Sequence, residues 1–183
     1  GKPFYVSMGD YAASGGYYIS CGADRIFADA TTITGSIGVF GMIPDLSGLV
    51  TDKLGVDFST VETNANAAGI SLMEPMTPQQ HAAMQRSVDQ IYETFTTRVA
   101  NGRDMPVDSV KAIAEGRVWV GAKALQLGLV DTLGSLADAV AAISSEVDLD
   151  SDAVQSYPAV KEEMWLQVLR QGNIAAELST VTE

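Results

Sequence analysis

Apolar positions in this chain follow two rhythms. Unbroken runs such as Phe4-Tyr5-Val6-Ser7-Met8 suit a strand buried on both faces, whereas steps of three and four suit a helix with one buried stripe. Residues 4–8 therefore read as a strand, and residues 15–20 as a short helix that starts at or beside Ser14. Residues 25–28 read as a second strand followed by a turn over 31–34, and residues 45–54 as a helix stopped before Gly55. Residues 56–63 alternate as a strand would, with Val56, Phe58, Thr60 and Glu62 on one face. The longest helix is announced by Thr77-Pro78-Gln79-Gln80, a capping box with proline at the first helical position. From there Met84, Val88, Ile91, Tyr92, Phe95 and Val99 recur at helical steps up to Gly102 and are expected to pack a core, not to line a binding site. Shorter helices are expected over 107–114 and 122–127, each followed by a glycine, and another amphipathic helix begins at 135–140. Residues 146–152 read as acidic and turn-like, and 160–169 as a last helix. Strands separated by helices predict an α/β fold with a largely parallel sheet flanked by helices.

Composition narrows the function classes. A chain of 183 residues, 46% hydrophobic and 19% charged, can bury one core. Its net charge of −12 would repel phosphate backbones and anionic headgroups, so nucleic acid is not an expected partner. No stretch approaches the roughly 20 apolar residues of a spanning helix. Nor does Gly1-Lys2-Pro3 open a signal peptide; the sequence reads as a domain cut from something longer. With one cysteine, Cys21, and one histidine, His81, neither an internal disulfide nor a zinc site of the usual kinds is expected.

The chemistry begins at Ser14, in Gly9-Asp10-Tyr11-Ala12-Ala13-Ser14-Gly15-Gly16-Tyr17-Tyr18. Small residues on both sides of a serine, where a strand hands over to a helix, allow a tight turn and let a substrate approach the hydroxyl. Ala12 stands where the hydrolase elbow Gly-x-Ser-x-Gly has its first glycine, so that elbow is not the one present. Taken alone, such a serine is more often a helix cap or turn residue. Two later blocks change its standing. These are Thr34-Gly35-Ser36-Ile37-Gly38-Val39 and Gly116-Arg117-Val118-Trp119-Val120-Gly121, the latter continuing through Ala124, Gly128-Leu129-Val130-Asp131 and Leu133-Gly134.

The three blocks, in this order and spacing, resemble the S49 family of serine peptidases, and in particular the carboxy-terminal, serine-bearing half of its long form. The resemblance covers residues 1–143, taken as a peptidase-like domain truncated at its amino terminus, with 144–183 as an acidic extension. It implies a crotonase-like α/β fold, shared with the Clp peptidases, whose units associate into rings or domes, so further copies of the chain are expected partners. It also implies cleavage of hydrophobic peptides, such as released signal peptides, through an acyl-enzyme on Ser14, with no cofactor. Family members work at the outer, periplasmic or extracytoplasmic face of the bacterial cytoplasmic membrane. Their amino-terminal anchor would lie in a part that this sequence lacks.

A serine hydroxyl needs a base and a place for the oxyanion. The N–H of Gly15, at a helix start, is the candidate oxyanion donor; the resemblance puts the second donor upstream of Gly1. For the base, His81 lies in the first turn of the long capped helix and reads as solvated. The resemblance implies a Ser/Lys dyad, in which burial lowers the lysine's pKa, with Ser36 holding that lysine towards Ser14. Short members of the family carry the lysine in the loop that here reads Asn64-Ala65-Asn66-Ala67-Ala68-Gly69, and Ala67 falls about where it would align. Lys2, Lys53, Lys111, Lys123 and Lys161 all read as surface or snorkelling charges. The chain thus departs from the short form. In the long form the amino-terminal half supplies the lysine, and that arrangement is the preferred reading, with the isolated 183 residues inactive. The alternatives are a non-catalytic assembly or peptide-binding module of the same fold and, more weakly, a crotonase-type acyl-CoA enzyme, which would leave the setting of Ser14 unexplained. Asp10, Asp24 and Asp131 read as turn or cap residues, and Trp119 with Tyr17-Tyr18 as core or cleft wall.

Overall fold

Two short strands, not one, lead to the serine. In the computed structural model, which describes residues 1–64, 67, 69–149, 155 and 157, strand β1 spans Tyr5–Ser7 and β2 spans Tyr11–Ala13. The tight turn expected ahead of Ser14 is therefore itself a strand, and its partner β4, Ile33–Gly35, takes up the second half of what reads as a turn in the sequence. Side-chain chemistry explains the change. Thr32 donates its hydroxyl to the Gly9 carbonyl at 2.9 Å, and the Ile33 N–H donates to the Asp10 carbonyl at 2.8 Å, so polar residues that look like turn formers begin a pairing.

Strand β3, Arg25–Ala28, pairs in parallel with β1 on one side and with β6, Thr132–Leu133, on the other. The second sheet has the order β2-β4-β5, where β5 is Val118–Val120. Only the β4–β5 pairing is antiparallel among those described. The α/β architecture with largely parallel pairing is thus the one expected.

Residues 56–63 form no strand. Val56, Phe58 and Val61 stand 46%, 49% and 95% exposed, because a period-two pattern without a neighbouring strand gains neither ladder bonds nor a buried face. The helix expected over 45–54 is shorter, with a π-helical turn at Leu49–Lys53 that ends before Gly55.

Helices α1, Gly15–Ser20, and α2, Pro78–Gly102, begin where the sequence puts them. The α2 capping box is complete: Thr77 accepts from the Gln80 N–H, and the Gln80 side chain accepts from the Thr77 N–H at 2.9 Å. Thr77→Ala should lower stability by about 1 kcal/mol, read as an earlier urea-unfolding midpoint at unchanged slope. Helices α3, Val107–Ile113, and α4, Gly121–Gln126, follow. Helix α5, Leu136–Glu146, is capped by Ser135 and Asp138 and packs on β1. Its last residue is the first of the stretch read as turn-like, while the helix expected over 160–169 lies outside the described residues.

Tyr17, Ile26, Ile37, Val99, Val110 and Leu129 are fully buried and join both sheets to α1, α3 and the C-terminal half of α2. Tyr17 keeps its buried hydroxyl satisfied by donating to the Leu129 carbonyl at 2.9 Å, and burial pushes its pKa up. Asp131 accepts from the Ile26 N–H at 2.7 Å and pairs with Arg103, which also donates to the Gly128 carbonyl. These bonds tie the end of α2 to β3 and the approach to β6. Among the described residues no helix is long and apolar enough to cross a membrane.

Candidate active site

Ser14 sits between β2 and α1 with φ 54° and ψ −117°. A residue with a Cβ adopts that conformation only under constraint. The constraint is visible on both sides: the Ser14 N–H donates to the Gly35 carbonyl at 2.9 Å, and the Ser14 carbonyl accepts from Tyr18 at 2.8 Å. Its side chain caps nothing. Ser14 is exposed, and its hydroxyl has no hydrogen-bond partner among the described residues. By position Ser14 is the N-cap residue of α1, as expected of the serine taken alone, but its hydroxyl makes no capping bond. Gly15 opens α1, so its N–H lies ahead of the first intrahelical bond, and the residue lines the same space as the serine.

Ser36 follows Gly35 directly and also has a positive φ, 49°. Its N–H donates to the Arg117 carbonyl at 2.8 Å, and the Gly116 N–H donates to the Ile37 carbonyl at 3.0 Å, so the block 34–39 is bound along the block 116–121. At Gly35, with φ 77°, an added Cβ would lie 2.8 Å from Trp119 Cδ1; the indole closes over the glycine and donates to the Ile113 carbonyl. The three sequence blocks meet here.

Ser14, Gly15 and Ser36 line one cleft of about 620 Å³. Its wall is apolar. Tyr18 meets Phe95 edge to face at a centroid distance of 5.2 Å, Arg98 lies 4.7 Å above the Tyr18 ring, and Ile91, Tyr92 and Phe40 extend the surface. The expectation that the α2 stripe serves packing alone is therefore corrected. Phe95 and Val99 enter the core, but α2 outruns it, and further up the same stripe Ile91 is 54% exposed in the cleft.

Among the described residues no lysine lines the cleft. Lys2, Lys53 and Lys123 are exposed. Lys111 binds Glu93 at 2.7 Å, which raises its pKa, the opposite of what a general base needs. Ala67 is exposed, with its N–H donated to the Asn64 carbonyl, and Lys161 lies outside the described residues. His81 is exposed in the first turn of α2, away from the cleft. Asp24 and Asp131 accept backbone N–H groups of Phe4 and Ile26, as turn and cap residues do. Tyr17 is core, Tyr18 cleft wall, and Trp119 a half-buried brace. Sequence reasoning missed Glu115, whose place directly before Gly116 and the third block was the available signal.

Residues 1–150 match peptidase family S49. The chain belongs to that family. This S49 chain is 41% identical over 158 residues to Protease 4 of Haemophilus influenzae, covering 86% of this chain and 25% of that protein. Protease 4 of Salmonella typhi is 40% identical, at 87% and 26% coverage, and the chloroplastic serine protease SPPA of Arabidopsis thaliana is 36% identical, at 81% and 22%. The S49 chain thus spans about a quarter of the length of these relatives. A solved enoyl-CoA hydratase/isomerase family protein from Hyphomonas neptunium resembles it with a TM-score of 0.41 and 16% identity, covering 95% of this chain and 53% of that one.

Proposed function

We propose that the protein is a serine endopeptidase of the Ser/Lys type, in which Ser14 attacks the scissile carbonyl. The observation that carries this reading is the constrained, exposed and unbonded Ser14 hydroxyl at an apolar cleft. A neutral lysine takes the Ser14 proton as Oγ bonds to the carbonyl carbon, and the Gly15 N–H donates to the oxyanion. Collapse expels the amine, which takes the proton back from the lysine, and water then hydrolyses the acyl-enzyme by the same steps. Ser36, one residue beyond the carbonyl that holds Ser14, orients the lysine through its hydroxyl.

The lysine comes from an amino-terminal half or a neighbouring subunit, a reading supported by the lack of a lysine along the cleft among the described residues. The apolar wall suits hydrophobic peptides such as cleaved signal peptides. Work at the outer face of the bacterial cytoplasmic membrane, with an anchor elsewhere in the protein, and assembly with further copies belong to the same proposal.

A serine-directed fluorophosphonate probe tests it, with the modified residue located by mass spectrometry in the full-length protein and in Ser14→Ala and Ser36→Ala variants. The expected result is labelling at Ser14 in the parent, none in Ser14→Ala, and labelling slowed about a hundredfold in Ser36→Ala. No labelling in any form would overturn the peptidase reading and leave the non-catalytic peptide-binding module in its place.

A further inference from the structure

The block Gly116-Arg117-Val118-Trp119-Val120-Gly121 braces the cleft, yet the proposed chemistry uses none of its side chains. What it holds in place is Glu115. This residue has φ 58° and is followed by Gly116 at φ 73°, so two successive residues turn left-handed. For glutamate that conformation is unfavourable, and its side chain is 67% exposed, so burial of the side chain does not compensate. Arg117 does fix it: one guanidinium nitrogen donates to Glu115 Oε2 at 2.8 Å and another to the Ala112 carbonyl at 2.5 Å, at the end of α3. Glu115 Oε1 has no partner among the described residues.

Position makes this carboxylate more than a surface charge. Of the charged residues among those described, Glu115 alone lines the cleft of Ser14 and Ser36. Gly116 N–H to Ile37 carbonyl and Ser36 N–H to Arg117 carbonyl hold its turn beside Ser36. The cleft thus offers a peptide a largely apolar wall, with Arg98 over the Tyr18 ring, on one side and Glu115, paired with Arg117, on the other.

We propose that Glu115 is a specificity-determining residue that favours substrates carrying a lysine or arginine within a residue or two of the scissile bond, and disfavours aspartate or glutamate there. The inference rests on the peptidase reading of the same cleft. An incoming ammonium or guanidinium meets Oε1 without displacing Arg117 from Oε2, whereas an incoming carboxylate meets like charge. The chain's net charge of −12 adds to the bias.

The test uses the full-length protein and fluorogenic peptides with one apolar sequence, differing only in lysine, norleucine or glutamate at each of the two positions flanking the scissile bond on either side. At low salt, kcat/KM should favour lysine over glutamate by about tenfold at one or more positions, in keeping with an exposed, screened charge contact. Glu115→Gln should bring that ratio to about one while norleucine peptides are still cleaved, and Glu115→Lys should invert it. Binding of uncleaved peptides to the Ser14→Ala variant, followed by fluorescence anisotropy, should show the same order. A ratio unchanged in Glu115→Gln, with norleucine cleavage intact, overturns the role of Glu115 and leaves the peptidase reading standing. Failure of the parent to cleave any peptide overturns both.

Discussion

Replacing Ser14 by alanine in the full-length protein should reduce peptide turnover by at least about a thousandfold, and replacing it by glycine should do the same while leaving a more stable protein than the alanine variant. The two substitutions separate chemistry from strain. Both remove the hydroxyl, so neither can form an acyl-enzyme. Only alanine retains a Cβ at φ 54° and ψ −117°, a conformation that costs a residue with a side chain about 1–3 kcal/mol and costs glycine little. Against that gain, glycine loses about 0.5–1 kcal/mol more backbone entropy on folding, so the glycine variant should be ahead by roughly 1 kcal/mol in denaturant unfolding. Turnover within tenfold of the parent in the alanine variant would remove Ser14 from the mechanism. Equal stability of the two variants would mean that the turn relaxes on substitution, and that strain at Ser14 is not what displays its hydroxyl.

That strain is also the part of the site least visible in the sequence. Glycines beside Ser14 announce a turn, and the helix after it is legible from Gly15 to Ser20, yet the strand that delivers the serine is Tyr11–Ala13, three residues with only one large side chain. Its pairing with Ile33–Gly35 depends on contacts more than twenty residues apart in sequence, such as Thr34 Oγ1 donating to the Ala12 carbonyl at 2.8 Å. No local pattern contains that information. The reverse error arises at residues 56–63, where the alternation is genuine and no strand lies alongside. Long helices read better, because α2 carries its own start signal and 25 residues of period, but the period reports only that one face is apolar. Which part of the face meets the core, as Val99 does, and which part lines the cleft, as Ile91 does, is set by where the sheets end.

Gly38→Ala should lower stability by about 1–3 kcal/mol and reduce kcat/KM about a hundredfold, whereas Gly41→Ala, in the same loop, should change either by less than about twofold or 0.5 kcal/mol. A Cβ at Gly38 would lie 2.6 Å from the Gly116 nitrogen and 2.7 Å from its Cα, while one at Gly41 meets nothing within 4 Å. The obstructing atoms at Gly38 are backbone, so no rotamer change relieves the clash, and the loops bearing Ser36 and Glu115 must part by roughly 0.5–1 Å to restore ordinary contact. Parting strains the bond from the Gly116 N–H to the Ile37 carbonyl, and with it the neighbouring bond that fixes Ser36 to Arg117. Ile37 is fully buried and anchors the loop to the core, so displacement is taken up on the cleft side, where Ser36 and Glu115 stand. A misplacement of this size matters little to an apolar surface and a great deal to a hydroxyl that must orient a base, so the loss should fall on kcat more than on KM. If both glycine variants unfold alike and turn over alike, the seam between the second and third blocks does not position Ser36. If Gly38→Ala loses stability but keeps kcat, the seam holds the fold and the serine is positioned by its bond to Arg117 alone.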